Sequence, residues 1–426
     1  MKNTTIKEKI VHFGKHMVLF LKWMLIAVIT GCVVGVISSL FALGLGKVTA
    51  IRAAHSWLVF CLPLAGLAIV FLYKRFLGED GGTNLVLSNI HAREDLPWTM
   101  APLIFVSTLL THLCGGSAGR EGAALQLGGS VASLLSKVMK LKPENHRIFI
   151  MSGMCAVFAG LFGTPLTACL FTMEFGSVGT LFSPALLPCY LAAFVASWVS
   201  GLLGVHPETF LLDAALPLHM DTLWRFALLA VAVSLLGIIM CSLFHKAEHL
   251  AKKWLPNVWL RIALGGVLVM GITLLVGDHR YNGAGMAMAL GAVGGSADWY
   301  DFLLKMLLTA ITLAAGFKGG EIVPTFCIGA TFGCVFGGLL GMDPGVAAAL
   351  ALVGLFCCAT NSPWASVVLS VEMFGAANLH YYALMCVICF VLSGKTGLYS
   401  SQIIQFPKAS AIGNHSQESA KNPHES

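Results

Sequence analysis

The chain has 426 residues, of which 57% are hydrophobic and only 11% are charged. Soluble globular proteins carry roughly 25% charged residues, so this composition excludes most soluble enzymes and disordered proteins. The formal net charge is +6 and the basic residues are scattered, so a nucleic-acid partner is not expected. The composition indicates a polytopic membrane protein.

The N-terminal segment, residues 1–16, is polar and holds four lysines against one glutamate. The positive-inside rule places it in the cytoplasm, and the apolar run that follows is too long for a signal peptide. Uncharged stretches then recur, the first two from Trp23 to Gly46 and from Leu96 to Gly119. Each can hold a spanning helix of ~20 residues. Because glycine and proline interrupt such stretches, we expect many helices, some of them short or broken.

The first motif in chain order, residues 78–85, reads Gly-Glu-Asp-Gly-Gly-Thr-Asn-Leu and follows an apolar run. Thr83 offers a hydroxyl and Asn84 an amide, and such groups can coordinate an anion where water is scarce. Taken alone, the segment is more typical of a helix-capping turn.

A glycine-rich turn opens the apolar run at residues 115–130, and Glu121 is the only acidic residue between Leu96 and Pro143. Backbone N–H groups at a helix N-terminus attract anions, and glycines let an ion approach the backbone closely. A carboxylate there can occupy the anion site and leave it when protonated. Glu121 is therefore a candidate gate and proton carrier. The alternative is a capping residue, or one paired with the adjacent Arg120.

The two halves of the chain share two motifs: a proline nine residues before a glutamate, and a glycine turn that leads into a glutamate. The pairs are Pro165–Glu174 with Pro363–Glu372, at an offset of 198, and Gly119-Arg-Glu with Gly319-Gly-Glu, at an offset of 200. Duplicated helices are typical of transporters, whose sites form where discontinuous helices meet. We place the first membrane repeat at residues 17–213, the second at 214–399 and a short polar tail at 400–426.

The second half carries two further candidates. Glu321 lies in the glycine turn at residues 316–331, and Pro324 suits the first turn of the helix that follows. Tyr399 ends the last apolar run and offers a phenolic donor, although alone it is more typical of an interfacial anchor.

Two competing motifs do not indicate a metal or redox site. His245-Lys-Ala-Glu-His249 has the spacing of a zinc peptidase, but a zinc site needs a third protein ligand, and the lysines that follow are normal at a membrane boundary. Cys386 and Cys389 lie in an apolar run, where thiols serve as small hydrophobes. We predict no metal, no other cofactor and no enzymatic activity.

The four segments around Thr83, Glu121, Glu321 and Tyr399, in this order, resemble the CLC family of chloride channels and proton-coupled anion antiporters, over roughly residues 20–400. The resemblance implies an all-α polytopic fold of two inverted repeats with broken and tilted helices, assembled as a homodimer. It also implies that Glu121 is the external gate and proton acceptor, and that Tyr399 contacts the bound anion.

The departures from the family pattern point to one branch. Thr83 takes the place of the filter serine, and Ile322 that of the filter phenylalanine. A Gly-Gly-Glu segment before the proline is similar to the fluoride/proton antiporters, although threonine is common there at the place of Val323, and asparagine or methionine at that of Thr83. The family's internal proton glutamate falls on Phe175, so Glu321 is the candidate second carboxylate.

These matches imply an anion/proton antiporter of the inner membrane that exports fluoride, with both termini in the cytoplasm. The alternative is a chloride channel or chloride/proton antiporter of the same fold. The expected partners are fluoride or chloride, protons, the lipid bilayer and a second copy of the chain. The expected anion-binding residues are Thr83, Asn84, Gly119, Arg120, Gly122, Gly320, Ile322, Val323 and Tyr399.

Overall fold

The computed structural model describes residues 6–78, 82–92, 96–142, 145–210, 212, 216–217, 219–405 and 408. Glu79 and Asp80 of the first motif, residues 1–5 and nearly all of the predicted tail beyond 405 lie outside these ranges.

Sixteen α-helices form the described part of the chain, in two successive sets of eight. The first set is α1 Ile6–Ala54, α2 Leu62–Phe76, α3 Gly82–Ala92, α4 Met100–Leu113, α5 Glu121–Val138, α6 His146–Phe162, α7 Pro165–Phe175 and α8 Leu186–Leu202. The second is α9 Met220–Trp254, α10 Val258–Val276, α11 Met286–Val293, α12 Asp301–Ala315, α13 Ile322–Leu339, α14 Pro344–Thr360, α15 Pro363–Phe374 and α16 Leu379–Leu392. Short 3-10 turns lie at Ser56–Cys61, Ser183–Ala185 and His279–Tyr281, and two strands, β1 Ser177–Val178 and β2 Ile403–Ile404, pair in parallel.

The two sets have matching sequences of helix lengths. Each begins with its longest helix, of 49 residues in α1 and 35 in α9. The fifth helices both have 18 residues, and the sixth both have 17. Six apolar segments in the described residues are long enough to cross a membrane. The predicted fold class, an all-helical membrane protein of two repeats, is confirmed, whereas the repeat boundaries at 213 and 399 stay predictions.

Glycine and proline break the helices at equivalent points. Gly163 ends α6 with a φ of 71°, and Pro165 begins α7 two residues later. Asn361 ends α14 with a φ of 57°, and Pro363 begins α15. A residue in the left-handed backbone conformation ends a helix, and proline is favoured in the first turn of the helix that follows. The sequence therefore produces the same helix-turn-helix in each repeat.

Helix α7 of the first repeat and helix α15 of the second cap each other's N-termini where the two repeats are in contact. Neither has a capping side chain of its own. Near the end of α7, Glu174 accepts hydrogen bonds from the backbone N–H groups of Trp364 and Ala365, at 3.2 and 2.9 Å. Glu372 of α15 accepts from Leu166 and Thr167, at 3.0 and 2.8 Å. Each carboxylate satisfies free N–H groups at the other helix's N-terminus, so these two conspicuous acids join the repeats.

Small residues let neighbouring helices pack at close range. A Cβ added at Gly128 of α5 would lie 2.3 Å from the carbonyl oxygen of Gly153 in α6, and one at Gly333 of α13 would lie 2.4 Å from that of Ala347 in α14. Only glycine fits such a backbone approach. The same contact therefore positions α5 and α13, the two helices that begin at the glycine turns.

Candidate functional site

The two glycine turns meet as a short antiparallel pair. The N–H of Gly119 donates to the carbonyl of Gly320 at 2.7 Å, and the reverse bond is 2.9 Å long. A Cβ at Gly119 would lie 2.8 Å from Cδ of Pro324, and one at Gly320 would lie 2.5 Å from the backbone nitrogen of Gly122. Because these glycines have no side chains, the N-termini of α5 and α13, one from each repeat, can approach each other closely.

Glu121 lies at this junction with a fully buried side chain. Its Oε2 atom accepts hydrogen bonds from the backbone N–H of Arg120 and from that of Val323, both at 3.1 Å. One donor comes from each repeat, so the carboxylate occupies a position where two helix N-termini offer N–H groups to negative charge. Its Oε1 atom has no hydrogen-bond partner among the described residues.

Thr83 of α3 reaches the same junction from another helix. Its hydroxyl lies 3.4 Å from the carbonyl oxygen of Gly122, and Nε2 of Gln126 donates to this hydroxyl at 3.3 Å. Sequence reasoning missed Gln126. The signal that could have revealed it was its position five residues after Glu121, where a long amide side chain is unusual in an otherwise small and apolar helix.

Tyr399 has a buried hydroxyl without a hydrogen-bond partner in the described part of the chain. Its ring packs edge-on against Phe175, with ring centroids 4.7 Å apart. The N–H of Leu398 donates to the carbonyl of Ala359 at 2.8 Å, and Asn84 accepts from the N–H of Ser401 at 3.3 Å. Phe175 therefore packs against the ring of the tyrosine and leaves its phenol hydroxyl available as a donor.

A cavity of about 950 Å³ leads to this group of residues. It is lined by four of the predicted residues, Thr83, Asn84, Glu321 and Tyr399, together with Gln126. Four basic residues, Lys74, Lys252, Arg261 and Lys318, also line the cavity, and they outnumber its two acids, Glu248 and Glu321. Positive charge raises the local concentration of anions in a cleft.

Glu321 lies on the cavity side of the glycine pair, whereas Glu121 does not line the cavity. Within the described residues, Oε2 of Glu321 is buried and accepts no hydrogen bond. The backbone carbonyl of Glu321 accepts from the N–H and the hydroxyl of Thr325, at 2.9 and 2.8 Å. The residue thus forms the N-cap of α13 and contributes to the lining of the cavity.

The side chains of two predicted residues, Arg120 and Ile322, do not line the cavity. The Arg120 guanidinium points away from the cavity: it donates to Glu208 and stacks over the ring of Phe162, 5.0 Å from the centroid. The Ile322 side chain is fully buried. Sequence reasoning missed Glu208, because it appeared only as the acid that ends a long stretch with few charges.

The competing motifs have other partners. A ring nitrogen of His245 lies 2.8 Å from the carbonyl oxygen of Gly397, and Glu248 pairs with Lys252 at 2.6 Å. In the ranges that the structure describes, no group of three or more histidine, cysteine or acidic residues is arranged to hold a metal. Cys386 and Cys389 are buried, and their carbonyls accept from the thiols of Cys357 and Cys358.

The fold and the converging helix N-termini define a membrane transport protein with an internal repeat. Residues 65–394 match the family model described as voltage gated chloride channel. The chain therefore belongs to this family, the CLC family, and the predicted CLC-type transport protein is confirmed.

Individual relatives support the same assignment. A chloride/fluoride channel protein of Pseudomonas syringae pv. tomato is 33% identical over 397 residues, which cover 91% of this chain and 87% of that protein. The crystal structure of a CLC-type fluoride/proton antiporter is 31% identical, with a TM-score of 0.87, and the match covers 90% of this chain and 98% of that one. A slow cyanobacterial Cl⁻/H⁺ antiporter, 21% identical with a TM-score of 0.75 over 87% of this chain and 94% of that one, shares the fold.

Proposed function

We propose that the chain is an anion/proton antiporter that exports fluoride, with Glu121 as gate and proton carrier. The observation that carries the proposal is the bonding of Glu121 Oε2 to one N–H from each repeat. A bare anion can accept the same two bonds. The ionised carboxylate and the transported anion therefore compete for one position.

Protonation decides this competition. An ionised carboxylate is held at the two helix N-termini by charge-assisted bonds. A protonated carboxyl group loses that attraction, so an anion from the cavity takes its place and passes outward. When Glu121 releases its proton and returns, it closes the path. Each anion that leaves is thereby linked to proton entry.

Glu321 is the proposed second carboxylate. It lines the cavity, across the glycine pair from Glu121, and the resemblance to the family puts the internal glutamate at Phe175. A proton that arrives at Glu121 needs a further acceptor on its way to the cytoplasm. Glu321 supplies one without the internal glutamate.

The proposed anion path starts in the basic cavity. Thr83, Asn84 and Tyr399 line it, and Tyr399 brings a hydroxyl donor that has no other partner in the described chain. Fluoride is small and strongly hydrated, so it needs close hydrogen-bond donors in place of water. Backbone nitrogens at the glycines and at Ile322 and Val323 suit it for the same reason. The similarity to a chloride/fluoride channel protein of P. syringae and to a fluoride/proton antiporter of known structure supports fluoride as the substrate.

We further propose a homodimer in the inner membrane with both termini in the cytoplasm, acting as a transporter and not as an enzyme. Basic residues at the ends of α2 and α9, Lys74, Arg75, Lys252 and Lys253, support this orientation by the positive-inside rule. Exposed Phe194 and Trp198 on α8 provide an apolar surface for lipid or a second subunit.

A flux assay in proteoliposomes tests the proposal. Vesicles loaded with fluoride or chloride are diluted into anion-free buffer, and anion efflux and proton uptake are recorded together. We expect fluoride to leave faster than chloride, with protons entering in a constant ratio. Anion efflux without proton uptake would favour the alternative of a passive channel, which the similarity to the P. syringae channel protein supports. Equal rates for chloride and fluoride would refute fluoride selectivity.

A further inference from the structure

The Arg120 side chain lies between two carboxylates. Its Nη2 atom donates to Oε1 of Glu208. Its Nε atom lies 4.0 Å from Oε1 of Glu121, which is beyond hydrogen-bond distance. The guanidinium therefore hydrogen-bonds to an acid 88 positions away. Its ion pair with the adjacent Glu121 is much longer and leaves Oε1 of Glu121 without a hydrogen bond within the described chain.

Glu208 is held in place by the backbone around it. Its N–H donates to the carbonyl of Phe162 at 3.2 Å. A Cβ at Gly163 would lie 2.6 Å from Cβ of Pro207, so this loop packs tightly on the end of α6. The Arg120 guanidinium stacks on Phe162 as well. The backbone around Glu208 and the ring of Phe162 therefore fix the positions of the two side chains in this ion pair.

The pair also links solvent to the buried gate. The side chains of Glu208 and Arg120 are 23% and 17% exposed, whereas that of Glu121 is fully buried. Glu208 has its second oxygen, Oε2, buried and without a hydrogen bond in the described residues. Arg120 therefore lies between the partly exposed Glu208 and the buried Glu121.

We propose that Glu208 is a positioning residue of the gate, which holds Arg120 away from Glu121 and keeps Oε1 of Glu121 available to the transported proton. This inference rests on the proposed antiport. A guanidinium that pairs with a carboxylate through two parallel bonds forms one of the strongest side-chain contacts in proteins. If Arg120 closed onto Glu121, it would stabilise the ionised carboxylate in the anion position and block both proton uptake and anion passage.

Several charged and titratable groups lie near Glu121. Arg120 and Glu208 form an ion pair beside it, and Glu321 and Tyr399 line the cavity beyond the glycine pair. His112 at the end of α4 is buried and also lies within the field of Arg120. Of these groups, Glu208 is the one that binds the Arg120 side chain directly. Removal of its charge leaves Arg120 with Glu121 as the nearest acid.

The test is the pH dependence of fluoride efflux by the full-length Glu208→Gln variant in proteoliposomes, with the pH varied in the compartment that faces Glu208. We expect efflux at neutral pH to fall about tenfold, and the half-maximal pH to move about one unit toward acid, since a tenfold higher proton concentration offsets the tighter hold on ionised Glu121. Glu208→Asp keeps the negative charge and is expected to restore most of the wild-type profile.

Asp221→Asn is the matched control. Asp221 is an outer carboxylate, 63% exposed, that pairs with Arg225 at 2.7 Å and lies outside the proposed site. Its removal is expected to leave the pH profile unchanged. If Glu208→Gln is not monodisperse after purification, Glu208→Asn is measured in its place, alongside Glu208→Asp.

Two results would overturn the inference: a neutral-residue variant with the wild-type half-maximal pH, or an equal loss of efflux in the glutamine and aspartate variants without a shift. The second result is what a merely structural role of Glu208 would give. Failure of the proposed antiport is distinguishable, because wild-type protein would then move fluoride without protons whatever residue stands at position 208.

Discussion

At the scale of single residues, the site depends on what Glu121 can do that other side chains cannot. Its carboxylate accepts hydrogen bonds from two backbone N–H groups, and in the proposed mechanism it leaves this position when it is protonated. Glutamine can also accept a hydrogen bond, but it carries no charge and takes up no proton. A glutamine at this position therefore keeps the shape of the side chain and removes its charge and its ability to carry a proton.

We expect Glu121→Gln to abolish proton uptake coupled to anion movement. The measurement is simultaneous recording of fluoride efflux and of pH in proteoliposomes, with Asp221→Asn as the control that keeps normal coupling. Proton uptake that persists in the Glu121→Gln variant would remove this residue from the mechanism.

Thr83 is the residue at which anion selectivity is tested most simply. Thr83→Ser keeps the hydroxyl and removes one methyl group, which gives a larger ion more room. We expect the ratio of fluoride to chloride efflux to fall by about tenfold, the low end of what one such group is worth in a pocket. Thr49→Ser, on an exposed position of α1, is the control. An unchanged ratio would mean that Thr83 does not line the anion path.

The residue scale also shows what sequence alone can reveal about the site. Glu121 and Glu321 stood out because they are acids at glycine turns in a chain that otherwise excludes charge. Gln126 and Glu208 carried no such signal. Gln126 contacts Thr83 from a different helix, and Glu208 comes from a loop 88 positions from its partner Arg120. The partners in such contacts depend on the tertiary structure, so even the unusual amide at Gln126 does not indicate that it contacts Thr83.

At the scale of helices, reciprocal capping by Glu174 and Glu372 joins the two repeats. The pair is visible in the sequence as two glutamates that each follow a proline by nine residues, at an offset of 198. The roles of the two acids were not predictable, because the N–H groups that each one satisfies belong to the opposite repeat.

We expect Glu174→Gln and Glu372→Gln each to lower the free energy of unfolding by about 1–3 kcal/mol, since hydrogen bonds to a charged acceptor are lost at a helix N-terminus. Thermal unfolding in detergent measures the change. Glu248→Gln removes an exposed i,i+4 pair worth about 0.3–0.5 kcal/mol, and it serves as the control. Equal effects in all three variants would contradict the capping role.

Close packing of α5 on α6 gives a second prediction for the helices. Gly128→Ala places a methyl group 2.3 Å from the carbonyl oxygen of Gly153, and overpacking of this kind costs about 1–3 kcal/mol. Gly201→Ala, in α8, has open space around the new methyl group and is expected to be neutral or slightly stabilising. Similar melting temperatures for the two variants would show that the α5–α6 contact is more tolerant than the structure indicates.

At the scale of the whole molecule, duplication explains why one site has two donors. Matching sets of eight helices bring α5 and α13 to the same point, so each repeat supplies one N–H to Glu121. The repeat and the class of fold were predictable, because motif offsets and uncharged stretches are periodic features of the chain. The meeting of the glycine turns was expected only from the resemblance to known transporters, since no local pattern specifies which helix ends converge.

The central claim is that anion and proton movement are obligatorily linked through Glu121. The most direct measurement uses proteoliposomes with equal fluoride concentrations inside and outside, clamped at zero membrane potential, with an acidic solution on one side only. We predict that protons moving down their gradient drive net fluoride movement in the opposite direction, toward the acidic side and against the fluoride gradient that develops, and that Glu121→Gln eliminates it. No net fluoride movement in the wild-type protein would contradict the account.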